Sequence, residues 1–205
     1  MTKSIRRRVV ALATVLAASV VLVVPATSSA ALPGTNVSSV TWNVRTSWVN
    51  YLTNPAWFVW TGQGSVTPTG GAAVASGTAY ARWSGWTDYA YSYTFAAGDD
   101  NPASPRTVAL RGGLDFDMSV HGIDISLTDL RVVKSGSSEQ LLADATYVPF
   151  GGAEVSRPDI VLGELVDVSG GPANQVQLTS AGAEVFNGGR NGSYRAGGEF
   201  GTLVY

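Results

Sequence analysis

Leu114-Asp-Phe-Asp-Met-Ser-Val-His121-Gly-Ile-Asp-Ile-Ser-Leu-Thr-Asp-Leu-Arg131 alternates apolar and polar side chains on both sides of one His-Gly step. A period of two places alternate side chains on one face of an extended chain. Gly at the step allows the sharp reversal that a side chain resists. The run therefore predicts two antiparallel strands, over residues 114–120 and 123–127, turning at His121-Gly122. His121 is the only histidine in the chain, and there is no cysteine. A lone imidazole at a strand turn is either a tip residue or part of a site.

Working outward, residues 107–111, 130–134, 141–149 and 160–167 read as further strands, as do 57–61, 79–83 and 89–95. Residues 62–76 and 98–105 are rich in Gly, Thr, Pro and Asp and read as loops. Residues 40–53 differ. Trp42, Arg45, Trp48, Val49 and Leu52 recur at spacings of three and four, and Asn54-Pro55 follows. That spacing predicts one short amphipathic helix over 42–53. Val176-Gln-Leu-Thr-Ser-Ala-Gly-Ala-Glu-Val-Phe186 reads as a strand leading into a second short helix, before a Gly-rich tail. No internal repeat is present. The fold class expected is a mostly β, antiparallel sandwich or barrel-like domain with one or two short helices.

The first 30 residues read as a targeting segment. Lys3 and Arg6 to Arg8 are a basic start, residues 9–24 are almost wholly apolar, Pro25 breaks the run, and Ser28-Ser29-Ala30 ends it with small residues. This is the order of a secretory signal peptide, with cleavage expected after Ala30. The organisation expected is signal peptide 1–30, a flexible leader over 31–39, and a single domain over 40–205. The protein is expected to be secreted or associated with the cell surface, with no membrane span after cleavage. Removing residues 1–30 takes four of the 13 basic groups and none of the 15 acidic ones, leaving 9 against 15, net −6. That balance disfavours nucleic acid and anionic membranes as partners.

Several chemistries lack their residues. One His and no Cys cannot make a Cys/His metal cluster. No Gly-rich phosphate loop and no serine nucleophile elbow is present. Carboxylates pair at Asp115/Asp117, Asp99/Asp100 and Asp124/Asp129, but solvated strand faces and loops explain them without a site. No enzymatic activity is expected. The six tryptophans, 42, 48, 57, 60, 83 and 86, fit the core and edges of a β-domain. Exposed ones could also stack on sugar rings, which keeps a secreted adhesive or carbohydrate-binding domain as an alternative.

Three blocks carry a family resemblance. Trp42-Asn-Val-Arg-Thr-Ser47-Trp48-Val-Asn-Tyr51 resembles the opening signature of the HtaA-type haemin-binding domain of actinobacterial exported haem-uptake proteins. The strand–His121-Gly122–strand run is similar to that family's core. Val176 to Phe186 with Tyr194-Arg-Ala-Gly197 resembles its closing signature. The blocks stand in the family's order over nearly all of residues 40–200. Three positions depart: Val120 stands where the family often has a second His, Leu130 follows Asp129 where it has Pro, and the closing Asp-Pro is replaced within Phe200-Gly-Thr-Leu-Val-Tyr205.

The resemblance implies ferric haem as ligand, Tyr51 as the iron ligand, His121 as its partner, and Tyr194 as a third pocket residue. It implies haem capture or relay in iron acquisition, with haem, a haem-carrying protein or a membrane-anchored relay protein as partners. The chemistry is sound on independent grounds. Ferric iron is a hard acid that takes phenolate oxygen, and a nearby imidazole can orient the phenol and stabilise its anion. Trp48 could supply an apolar wall. Without the resemblance, Tyr51 reads as a packing aromatic and His121 as a turn residue.

Overall fold

The computed structural model describes residues 32, 36–55, 64–81, 87–103, 105–149, 151–167, 173–188 and 192–205. The signal segment, the strand expected at 57–61 and tryptophans 57, 60, 83 and 86 lie outside the described residues.

Among the described residues, eleven strands and two short helices follow in the order β1 (Ser39–Val44), α1 (Thr46–Thr53), β2 (Ser65–Thr69), β3 (Ala73–Ala81), β4 (Thr87–Asn101), β5 (Arg106–Leu110), β6 (Gly113–Met118), β7 (Ile123–Ser135), β8 (Ser138–Tyr147), β9 (Val155–Asp167), β10 (Ala173–Leu178), α2 (Ser180–Asn187) and β11 (Glu199–Val204). Eight strands close a ring, β7-β5-β4-β1-β11-β10-β9-β8, with β8 returning to β7, and every pairing is antiparallel. The domain is thus a barrel, and closure leaves the ring without open edges. β6 and β2 branch from β7, and β3 branches from β4.

The interior is filled by alternate residues. Val40, Trp42 and Val44 on β1, Leu114, Phe116 and Met118 on β6, and Leu141, Ala143, Ala145 and Tyr147 on β8 all point inward and are buried. Burying each large apolar side chain contributes about 1.5–3 kcal/mol, and this core replaces the staples that a chain without cysteine lacks.

The expectation of a helix starting at Trp42 is corrected. Val40, Trp42 and Val44 belong to β1, paired with both β4 and β11, and the helix starts at Thr46. Trp42 fits both periods, and the alternation around it wins because both edges of β1 find partners. The two strands expected at 123–127 and 130–134 are one, β7. It bends at a bulge where Asp129 takes φ 48° and the pairing with β8 shifts between Thr128 and Arg131. Further strand segments went unread, among them the end of β4 over 98–101, inside a stretch read as a loop. β2 and the start of β3 lie in the other such stretch, 62–76, and β11 lies in the Gly-rich tail. Of the residues before β1, Leu32 and Val37 are buried, and Leu32 N–H donates to Glu139 Oε1 at 2.8 Å.

Candidate functional site

α1 follows β1 in the chain and packs against β4, β2, β1 and β6. Trp48, Val49, Asn50 and Leu52 turn into the protein, while Tyr51 is half-buried at the rim. The turn between β6 and β7 stands opposite. There Ser119–His121 forms one 3-10 turn, and Gly122 reverses the chain at φ 63°, a left-handed conformation open to glycine. The alternation of β6 and β7 thus delivers the imidazole to the barrel rim.

Tyr51 Oη and His121 Nδ1 share a short hydrogen bond, with ring centroids 5.4 Å apart. Which atom donates depends on the imidazole tautomer: with Nδ1 unprotonated the phenol O–H donates to it, and the ring proton then sits on Nε2. The two residues lie 70 positions apart in sequence.

The pair borders a cleft of about 280 Å³. Trp48, Ile125, Val148 and Phe186 give it apolar walls, and Tyr51, His121, Asp124 and Tyr194 add polar groups. Trp48 is the centre of the aromatic lining. Its ring lies 6.3 Å from Tyr51 at a shallow 21°, 5.9 Å from Phe186 and 5.6 Å from Tyr194, both of these edge-on. Its Nε1–H is buried and has no hydrogen-bond partner among the described residues.

Tyr194 reaches the cleft from the segment between α2 and β11. Asn187, at the end of α2, holds it there: its Nδ2 donates to the Tyr194 carbonyl at 2.8 Å and its Oδ1 accepts from the Tyr194 N–H at 3.1 Å. Burial pushes the Tyr194 phenol up to about 12; the Arg45 guanidinium pulls against that and Tyr51 adds to it. Arg45 lies over the Tyr194 ring at 5.9 Å and donates to Ser47 Oγ at 2.8 Å and to the Glu199 carbonyl at 2.6 Å.

The three residues that the resemblance points to, Tyr51, His121 and Tyr194, border one cleft, with Trp48 as its wall. Phe186, Arg45 and Asn187 were missed as contributors. Phe186 stood inside a block already singled out; Asn187 carried no signal, because its role is to hold a neighbouring backbone. The carboxylate pairs do not converge on the cleft. Asp115 accepts from Ser126 Oγ, Asp100 is bound by Arg106, and Asp129 is bound by Arg131. Asp117 and Asp124 stand directly opposite one another across β6 and β7, and Asp124 alone of these lines the cleft. Among the described residues no group of three metal-ligating side chains gathers, and no helix is long and apolar enough to cross a membrane.

The family model for HtaA matches residues 37–204. The chain belongs to the HtaA family. The barrel is similar to the N-terminal domain of HtaA from Corynebacterium glutamicum, at 22% identity and TM-score 0.57, over 83% of this chain and 96% of that one. It is similar to the C-terminal domain of the same protein, at 17% identity and TM-score 0.55, over 81% and 92%. It is also similar to the heme binding protein HtaB from Corynebacterium glutamicum, at 16% identity and TM-score 0.55, over 80% and 89%. At these identities the likeness is one of fold. No curated protein matches this chain.

Proposed function

We propose that this HtaA-family domain binds ferric haem outside the cell, with Tyr51 Oη as the iron ligand and His121 as its hydrogen-bonding partner. The observation that carries this reading is the hydrogen bond between Tyr51 Oη and His121 Nδ1 at the rim of an aromatic cleft. Membership of the HtaA family and likeness to a protein described as heme binding support it. The residues present suit the ligand. Ferric haem supplies, when bound, a hard iron centre that takes anionic oxygen.

The chain's own groups divide the work. Tyr51 would give up its phenol proton if its oxygen served as the ligand. His121 Nδ1 stands where it can take that proton and then return it as a hydrogen bond to the phenolate, fixing the ring's direction. Trp48, Phe186 and Ile125 exclude water from an apolar face. Tyr194, held protonated by burial, offers the cleft an O–H donor rather than a second anion. A cleft of about 280 Å³ sits at the lower end of the usual range for small-molecule sites, roughly 300–1,000 Å³. It suits a flat ligand held on one face.

The reading includes export, with residues 1–30 removed, and a role in capturing haem or relaying it to a membrane-anchored protein. Hemin added to the mature chain is expected to give a shifted Soret band with a phenolate-to-iron charge-transfer band. Tyr51→Ala is expected to abolish both. His121→Ala is expected to weaken binding about ten- to hundred-fold, the loss of one charge-assisted hydrogen bond. Reduction to ferrous haem is expected to weaken the complex, since phenolate prefers the ferric ion. A Tyr51→Ala variant that binds hemin like the wild type overturns the ligand assignment. A wild type that leaves hemin unchanged overturns the function.

A further inference from the structure

α1 has little to hold it in place by itself. It is eight residues long, Arg45 at its N-terminus makes no side-chain cap, and its first turn carries no acidic residue. Isolated helices of that length are marginal in water. Yet the direction of Tyr51 depends on how α1 is turned about its axis. A phenolic oxygen lies far outside a helix whose Cα atoms sit at about 2.3 Å radius, so a rotation of ~10° moves it by on the order of 1 Å. That displacement breaks a hydrogen bond of ordinary geometry.

Asn50, the residue before Tyr51, is fully buried and satisfies its amide four times. Its Nδ2 donates to the Tyr89 carbonyl at 2.7 Å and to the Thr46 carbonyl at 2.8 Å. Its Oδ1 accepts from the Tyr89 N–H and from Asn54 Nδ2, both at 2.9 Å. Tyr89 lies on β4, where β3 occupies one edge by pairing Ala79 with it, while β1 covers the other edge only from Ser92 onward. The amide of Asn50 therefore takes both backbone groups of Tyr89, as an opposed residue does in an antiparallel ladder. A helix side chain stands in for the strand that ends too soon.

We infer that Asn50 is the positioning residue of the site: by pairing with the Tyr89 backbone it sets the rotation of α1 that aims Tyr51 Oη at His121 Nδ1. This deepens the haem reading and rests on it only for the second of its two readouts.

The first readout needs no haem. His121 is the only histidine, so the imidazole nitrogen spectrum of the ligand-free mature chain reports one ring. Tyr51→Phe defines the signature of a ring without its hydroxyl partner. Asn50→Ala is expected to move the Nδ1 signal to the Tyr51→Phe position. Leu141→Ala, a buried core truncation on β8 away from the cleft, is the control for lost stability and is expected to leave the signal at its wild-type position. Asn50→Ser, smaller but still polar, serves if Asn50→Ala does not fold, with the same shift expected. Wild-type imidazole signals in the folded Asn50 variant overturn the inference. So does an equal shift in Leu141→Ala, because the spectrum then reads stability alone.

In the second readout, hemin affinity is expected to fall about tenfold in Asn50→Ala, the scale of one hydrogen bond, with the charge-transfer band retained. If the wild type binds no hemin while Asn50→Ala still shifts the imidazole, the haem reading falls and the positioning role stands.

Discussion

The two helices are the same length and are held by opposite means. α2 carries its own signals. Thr179 caps it, accepting from the Gly182 N–H at 3.0 Å, and Gly188 ends it in the left-handed conformation at φ 57°. Gly182 lets it lie on β9, since a Cβ there would meet the Leu162 carbonyl at 2.0 Å. α1 has no such caps. It is fixed from outside, by Trp48, Val49 and Leu52 in the core and by Asn50 on β4. The helix that presents Tyr51 is thus the one whose placement is tertiary. A site residue on such a helix is only as well aimed as its anchors.

The largest break in this contrast should come from the core side of α1. Leu52 is fully buried, and Leu52→Ala is expected to destabilise the domain by about 2–5 kcal/mol. Urea unfolding of the mature chain reads it. A cost below ~1 kcal/mol would mean that α1 does not depend on its core anchors.

High pH acts on the side tied to α2. Burial raises the Tyr194 phenol from 10.0 to about 12 in the folded protein. A raised phenol favours the folded state fully below the unfolded value and loses that contribution as pH climbs through the folded one. Burial raises Tyr93 and Tyr205 in the same direction. Stability is therefore expected to fall from pH 10 upward, with Tyr194 ionising late in an absorbance titration near 295 nm. Replacing Tyr194 with Phe should make the loss shallower; an unchanged slope would remove Tyr194 from the alkaline limit.

The smallest effects separate the caps. Thr179→Ala is expected to cost about 1 kcal/mol, the usual worth of an N-cap. Arg45→Ala, at the matching position of α1, is expected to cost about half that or less, because no cap is lost there. Equal costs, read by thermal unfolding, would erase the distinction between the helices.

The same distinction explains what the sequence made legible. The β6–β7 turn showed because alternation runs cleanly up to a Gly that must take positive φ. α2 showed because Thr179 and Phe186 lie in one patterned block. The start of α1 did not show: with no cap residue to mark it, Trp42 satisfied the helical spacing and the strand alternation alike. β2 was hidden because none of its residues is buried and it carries Pro68, a residue tolerated on strands with an open edge. β11 was hidden by Gly201, which is there because a Cβ would strike the Asn43 carbonyl at 2.0 Å. Around the cleft, Tyr51, His121 and Tyr194 were reached only through the family resemblance, since alone Tyr51 reads as a packing aromatic and His121 as a turn residue. Asn50 and Asn187 were not reached at all, since each acts through backbone atoms that only the fold brings near.

β1 and β11 are the first and last strands, and they are neighbours. Thr41 pairs with Val204, while Val44, next to α1, pairs with Gly201. The chain thus enters and leaves the barrel side by side, at the end away from Tyr51 and His121. Residues joined directly to the start of β1 or the end of β11 therefore approach the barrel from the end opposite the cleft. The unit is built like a bead tied at one pole, with the cleft at the other.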